Sequence, residues 1–365
     1  MSTSSSRPPP GDAAVHRATV RPHASPARRA PQALPAALLL LVLCALAGLC
    51  AGRYPVSPAD VARTLGAALR PAAGSAHAAH AALLRAIVVD ARLPRLTAAA
   101  LVGAALSVAG ASYQAVFRNP LVSPGLLGVL SGSAFGAALG IVVGAQGAWI
   151  QLFAFGAGVL SVLVGLAVGG MIRGGGVLML VLGGLISNAL FTSLLSLVKY
   201  VADPLNQLPA IVYWMLGSLA QTGWPDLARL APPLLVGILL LCGCARVLDT
   251  LTLSDDEALS LGVPVTAIRF GVIAVATLVS ALTVSLAGMI GWVGLLVPHI
   301  ARAIVGASNT RLLPLSALLG AAGLILADTA ARSLAPGEIP LGIITELFGA
   351  LAFVVVLRRL RHTGP

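Results

Sequence analysis

The sequence predicts an all-α, polytopic membrane protein of about ten transmembrane helices. Composition is the first reason: 58% of the 365 residues are hydrophobic and only 10% are charged, whereas soluble domains carry about a quarter charged residues. So little charge cannot coat a soluble surface of this size. The second reason is a succession of apolar runs, because one helical crossing needs about 20 such residues. The third is where the charge sits. Arg7, Arg17, Arg21, Arg28 and Arg29 precede the first run against the single acid Asp12, and Arg358, Arg359 and Arg361 follow the last. Basic segments flanking apolar spans belong on the cytoplasmic side.

Residues 1–32 are rich in Ser, Pro, Ala and Arg and hold too little apolar surface to fold, so they read as a disordered basic cytoplasmic tail. An Arg-rich, acid-poor start also resembles an organellar transit peptide; a cleaved secretory signal is disfavoured, because the run from Leu34 is long enough to span. Residues 33–360 form the transmembrane domain. Its spans fall near 34–51, 96–115, 125–146, 148–171, 176–200, 227–247, 266–288, 313–333 and 340–357, with a shorter apolar piece at 290–305. Counting that piece gives ten and places both basic ends on one side, together with the loops bearing Arg118, Arg173, Arg302 and Arg311. The stretch 248–265 is too polar to span. Ser254 followed by Asp255, Asp256 and Glu257 has the chemistry of a helix start, so a short helix along the cytoplasmic face is expected there. Two longer segments, 53–90 and 201–224, fall outside, and Trp214 and Trp224 suit an interface.

Several chemistries are excluded. A P-loop needs a lysine followed by Ser or Thr, but the single lysine, Lys199, precedes Tyr200. The chain therefore hydrolyses no ATP through such a loop and reads as a non-enzyme. No His-Glu-x-x-His or Gly-x-Ser-x-Gly motif is present. His77 and His80 read as loop residues, and Cys44, Cys50, Cys242 and Cys244 as small residues in apolar runs. The net charge of +11 makes no stripe for nucleic acid. A proton-coupled secondary transporter is the alternative. Its candidate groups are Asp328, Arg302, Arg332 and Glu346, and Asp328 and Arg332 are spaced to meet on one helix face.

Three stretches resemble the FecCD-type ABC permeases, importers of iron-siderophores, haem and cobalamin. One is Arg92-Leu93-Pro94-Arg95-Leu96 with Gly103, Gly110, Gln114 and Arg118-Asn119-Pro120-Leu121-Val122-Ser123-Pro124. Another is Ala258-Leu259-Ser260-Leu261-Gly262-Val263. The last runs from Gly288-Met289-Ile290-Gly291-Trp292 through Pro298-His299-Ile300-Ala301-Arg302 to Asp328, Arg332 and Glu338-Ile339-Pro340-Leu341-Gly342. The resemblance implies a type II ABC importer permease architecture, in a bacterial cytoplasmic membrane with both termini cytoplasmic. It implies a homodimer, two P-loop ATPase subunits that use ATP and Mg, an extracytoplasmic binding protein, and no cofactor on this chain. Iron-siderophore is the commonest cargo, with haem or cobalamin also carried.

Roles follow from the same resemblance. Arg92, Arg95 and Arg332 would dock the binding protein, although anchoring span ends is the bland reading. Glu257, Ala258, Ser260, Leu261 and Gly262 would couple to the ATPase. Asn188, Thr192 and Ser196 make a stripe on the fifth span that lines the path or glues helices; Glu346 is a further path candidate. Arg118, Asn119, Pro120, Pro298, His299 and Arg302 are structural motif residues. Two departures stand out: Ser254 replaces a glycine before the acids, and Leu351 replaces a proline in the last span, which removes a kink.

Overall fold

In lipid a backbone must satisfy its own hydrogen bonds, which leaves the helix as the spanning form for runs of this length. The computed structural model describes residues 30–69, 78–171, 177–253, 255–260, 262–335 and 337–361, and no strand occurs among them. Most of the basic tail lies outside these residues.

The chain enters α1 (Ala30–Cys50), then two short helices, α2 (Pro58–Leu69) and α3 (Ala78–Arg85). A π-helical turn (Ala86–Arg92) carries α3 directly into α4 (Leu93–Val116). After a 3-10 turn (Pro124–Leu127) come α5 (Val129–Val142), α6 (Ala148–Met171), α7 (Val177–Val201), α8 (Gln207–Met215) and α9 (Trp224–Gly243). The short helices α10 (Ala245–Thr250) and α11 (Asp255–Ser260) precede α12 (Val265–Ala287), α13 (Val293–Val305), α14 (Asn309–Ser333) and α15 (Leu341–Arg361).

Among the described residues seven helices are long and apolar enough to cross a membrane, and three shorter apolar ones, in α5, α13 and α15, bring the set to the expected ten. Expectation and structure part in the outer segments. The described residues of the 53–90 region are largely helical, and its last part extends α4 backwards into one run, Ala79–Val116. The 201–224 region holds α8. Neither stood out in the sequence, because α2 at 12 residues and α8 at 9 are far shorter than a membrane span.

α4 is the buried centre. It packs on α14, α12, α13 and α9, and the approach is backbone to backbone. A Cβ on Gly110 would stand 1.8 Å from the Gly294 carbonyl oxygen of α13, and one on Gly103 would stand 2.1 Å from the Gly320 oxygen of α14. Lipid removes the hydrophobic drive between helices, so close van der Waals approach does this work. The Tyr113 hydroxyl, fully buried, adds a 2.6 Å hydrogen bond with Thr277 Oγ1 on α12.

Between α12 and α13 the helix is broken. Gly288 has φ +70 and Trp292 has φ +64, and residues 288–291 are uncoiled. Trp292 is held against α15, where a Cβ on Gly349 would stand 2.4 Å from its own Cβ.

Gly110→Leu should lower the thermal stability of the detergent-solubilised protein by about 3 kcal/mol, because carbonyl backbone cannot yield to a side chain. Gly66, on α2, has open space around it, so Gly66→Ala should be neutral or stabilise by up to about 1 kcal/mol. Equal behaviour of the two variants in thermal unfolding would contradict this packing.

Candidate functional site

The last turn of a helix leaves carbonyl oxygens without partners. At the end of α1 two arginines fill them. Arg92 Nη1 donates to the Leu49 oxygen at 2.6 Å and the Cys50 oxygen at 3.2 Å, and its Nη2 donates to the Tyr54 oxygen. Arg332 Nη2 donates to the Gly48 oxygen at 3.0 Å and its Nη1 to the Ala51 oxygen at 3.4 Å. Positive charge at a helix C-terminus also complements its dipole. Arg95 works differently. Its Nε donates to Asp328 Oδ1 at 2.8 Å, and its Nη1 reaches Glu338 Oε1 at 3.0 Å and Oε2 at 2.9 Å. Arg332 Nε lies 3.1 Å from Asp328 Oδ2, an ion-pair contact without hydrogen-bond geometry.

All three arginines are buried and Asp328 is wholly so. The rim they form closes on the protein's own groups, and the Glu338 carboxylate, about a third exposed, is its more open member. Sequence spacing brought Asp328 to Arg332, as expected. It did not bring Glu338 to Arg95, because those residues are 243 positions apart.

A second polar network occupies the opposite end of the bundle. Arg118, just past α4, takes a left-handed backbone with φ +48. Its Nε donates to the Leu251 oxygen at 2.6 Å, and its Nη2 pairs with Asp255. Arg269, in the second turn of α12, donates to both Asp255 oxygens at 3.1 Å. Asp255 opens α11, so this short helix is stapled to α4 and α12 through one carboxylate. Burial alone would raise the Asp255 carboxyl, but hydrogen bonds and charge from Arg269 and Arg118 hold it below the usual carboxylate range. Ala258 is buried beneath α11, while Glu257, Leu259 and Ser260 are exposed, and Gly262, with φ +76, turns the chain out of the helix. Ser254 and Leu261 lie outside the described residues.

The remaining motif residues hold elements together. The Asn119 carboxamide oxygen accepts from the Leu121 amide at 2.9 Å around Pro120. Arg302 Nη2 donates to Gln114 Oε1 at 3.0 Å, and Gln114 Nε2 donates to the Leu295 oxygen at 3.3 Å, tying α13 to α4. Pro298 is buried, and His299 meets Phe353 edge to face at 6.4 Å. Asp249 was not singled out by sequence. It accepts from the Asn309 amide at 2.7 Å and from Ser308 Oγ at 3.0 Å, and so caps α14.

The α7 stripe divides. Ser187, one residue before it, turns inward and its hydroxyl meets the Ser161 carbonyl of α6. Asn188 is half-buried; Thr192 and Ser196 are exposed. Ser196 Oγ returns to the Thr192 carbonyl at 2.9 Å, within its own helix. On α15 the Glu346 side chain is exposed beside Gly291, and α15 runs unbroken past Leu351. A cavity of about 520 Å³, lined by Gln151, Tyr213, Trp214, Gln221, Asp226 and Ser285 among others, opens at the rim end between α6, α8, α9 and α12.

The pattern of the FecCD transport family matches residues 39–359. The chain belongs to the FecCD transport family. A solved chain from an ABC transporter assigned to the metal-chelate type, in an inward-facing conformation, superimposes with a TM-score of 0.78 at 36% identity, over 90% of this chain and 99% of that one. A molybdate import system permease protein of Haemophilus influenzae is 40% identical over 188 residues, 52% of this chain and 56% of its own length. A hemin transport system permease protein of Yersinia pestis is 36% identical over 193 residues, 52% of this chain and 56% of its own length. The chain thus spans about half the length of the curated relatives it matches.

In this FecCD-family fold, Asp328→Asn should cost about 3 kcal/mol in thermal unfolding, because Arg95 and Arg332 are left buried with less compensation. Glu338→Gln, at a more open site, should cost less; the reverse order would contradict the network. Asp255 has its pKa lowered on folding, so its stapling of α11 is fully present above the unfolded value near 4 and is lost as pH falls through the folded one. A fluorophore on Leu259→Cys should show falling anisotropy only below about pH 4, and Asp255→Asn should show the low value at neutral pH. A pH-independent anisotropy in both would reject the staple.

Proposed function

We propose that this chain is the permease subunit of an ABC importer for a metal chelate. Two copies form the translocation path, energised by two separate P-loop ATPase subunits that use ATP and Mg and fed by an extracytoplasmic binding protein. The membrane is the bacterial cytoplasmic membrane, with both termini and α11 on the cytoplasmic side and the arginine rim on the other.

The observation that carries the reading is α11. A short helix with Glu257, Leu259 and Ser260 turned outward is fixed at its first residue to α4 and α12. A partner that pushes on it moves those helices through Asp255, which is what an ATPase without covalent connection needs. Gly262 ends the helix and lets the chain turn back.

Arg92, Arg95 and Arg332 serve docking by shaping the rim; a partner's carboxylates reach Arg95 beside or in place of Glu338. Thr192 and Ser196, exposed on α7, and Glu346 on α15 face the path, with Asn188 at its edge. Iron-siderophore is the proposed cargo, with haem or cobalamin handled by the same frame. Support comes from the relatives named for hemin and metal-chelate transport. A proton-coupled mechanism is less well supported, because Asp328 is committed to Arg95 and Arg332 and is not left free to shuttle protons.

In proteoliposomes containing the chain with its ATPase and binding protein, uptake of labelled ferric siderophore should need ATP, stop with vanadate and persist with a protonophore. Uptake that ignores vanadate and collapses with the protonophore would overturn the importer reading. Parallel assays with haem, cobalamin and molybdate decide the cargo.

A further inference from the structure

Glu346 is an unpaired acid inside a membrane helix. It stands roughly one and a half turns into α15, its side chain is exposed, and it has no ion pair or hydrogen bond among the described residues. Asp328, the other acid deep in a span, is enclosed by two arginines. A carboxylate turned toward hydrocarbon is strongly disfavoured, and unpaired ones mark water-filled routes. A second observation agrees. The neighbour of Glu346 is Gly291, in the uncoiled stretch 288–291, and irregular backbone at membrane depth is tolerated where protein buries it or water reaches it. Gly291 and Trp292 are only half-buried.

The same site offers little to an anion. Helix starts that point into transport paths bind anionic groups through free amides. At the start of α13 three of the amides are taken: Val293 donates to the Gly291 oxygen at 2.8 Å, and Leu295 and Leu296 donate to the Trp292 oxygen at 3.0 and 2.7 Å. A carboxylate stands beside a set of donors already in use.

We infer that Glu346 places a fixed negative charge on the wall of the translocation path and selects cargo by charge, admitting cationic or neutral metal chelates and opposing oxyanions such as molybdate. This rests on the permease reading and adds the substrate class to it. A molybdate import system permease protein is among the relatives, which makes an oxyanion the relevant contrast.

The test uses the full transporter in proteoliposomes, with the four native cysteines replaced and a reporter, Ile343→Cys, on the same exposed face one turn before Glu346. Its modification rate is measured with cationic, anionic and neutral thiosulfonate reagents. A unit charge roughly 7 Å away in water changes the local concentration of a monovalent ion about three-fold. Screening at about 0.1 M salt halves that energy, so the cation-to-anion rate ratio should fall about two- to three-fold in Glu346→Gln. Glu346→Asp should keep most of the ratio, and the neutral reagent should react equally in all three. A ratio unmoved by Glu346→Gln overturns the assignment. So does a reporter unreactive to every reagent, which would mean that lipid or the second copy covers this face. Vanadate-sensitive uptake of ferric siderophore by the same liposomes reports separately on the permease reading. Its absence beside an intact charge effect rejects that reading and leaves the charged wall standing.

Discussion

The backbone of α4 touches the backbones of two other helices, and the rest of the molecule is arranged around those contacts. At Gly110 and Gly103 there is no room for even one carbon between α4 and its neighbours α13 and α14. Between helices in lipid, such approach replaces the hydrophobic drive that packs a soluble core. The helix is thereby rigidly embedded, and both polar networks hang from its two ends. Arg92 and Arg95 flank its start; Arg118 follows its last turn. One stiff element thus joins the arginine rim to the staple of α11.

The two networks differ in what they leave open. At the rim, guanidinium groups are spent on the carbonyls of α1 and on Asp328 and Glu338, so charge there serves first to close the structure. Buried ion pairs of this kind are costly to break even where they add little net stability. At the other end, Asp255 anchors α11 from a partly exposed position and leaves Leu259 and Ser260 of the helix exposed. Polar groups without a partner element, Glu346 above all and then Thr192 and Ser196, lie between the two networks. The molecule therefore separates charges that hold it together from polar groups that the described residues leave exposed.

Much of the fold was legible because lipid imposes a simple rule on the chain. Apolar length placed the ten apolar helices found among the described residues, including the short α13, whose Pro298, His299 and Arg302 make it a weak candidate by itself. The acids after Ser254 placed α11, and the spacing of Asp328 and Arg332 placed their contact. Local signals of this kind act over a few residues, so a sequence carries them openly. The helices α2, α3 and α8 escaped because they are 12, 8 and 9 residues long, too short to register as spans.

The sequence by itself determined the apolar helices, the lack of a P-loop motif in these residues and the family motifs, since each depends on residue type and short spacing. Tertiary structure decided what the charged residues do. Arg92, Arg95 and Arg332 look alike along the chain, yet two of them cap α1 and the third bridges Asp328 and Glu338. Asp328 and Glu346 are both acids in spans, yet one is enclosed and the other stands open beside an uncoiled backbone. The physical reason is that an ionised group is defined by its partners, and those partners come from helices hundreds of residues apart, which meet only after α4 has brought the bundle together.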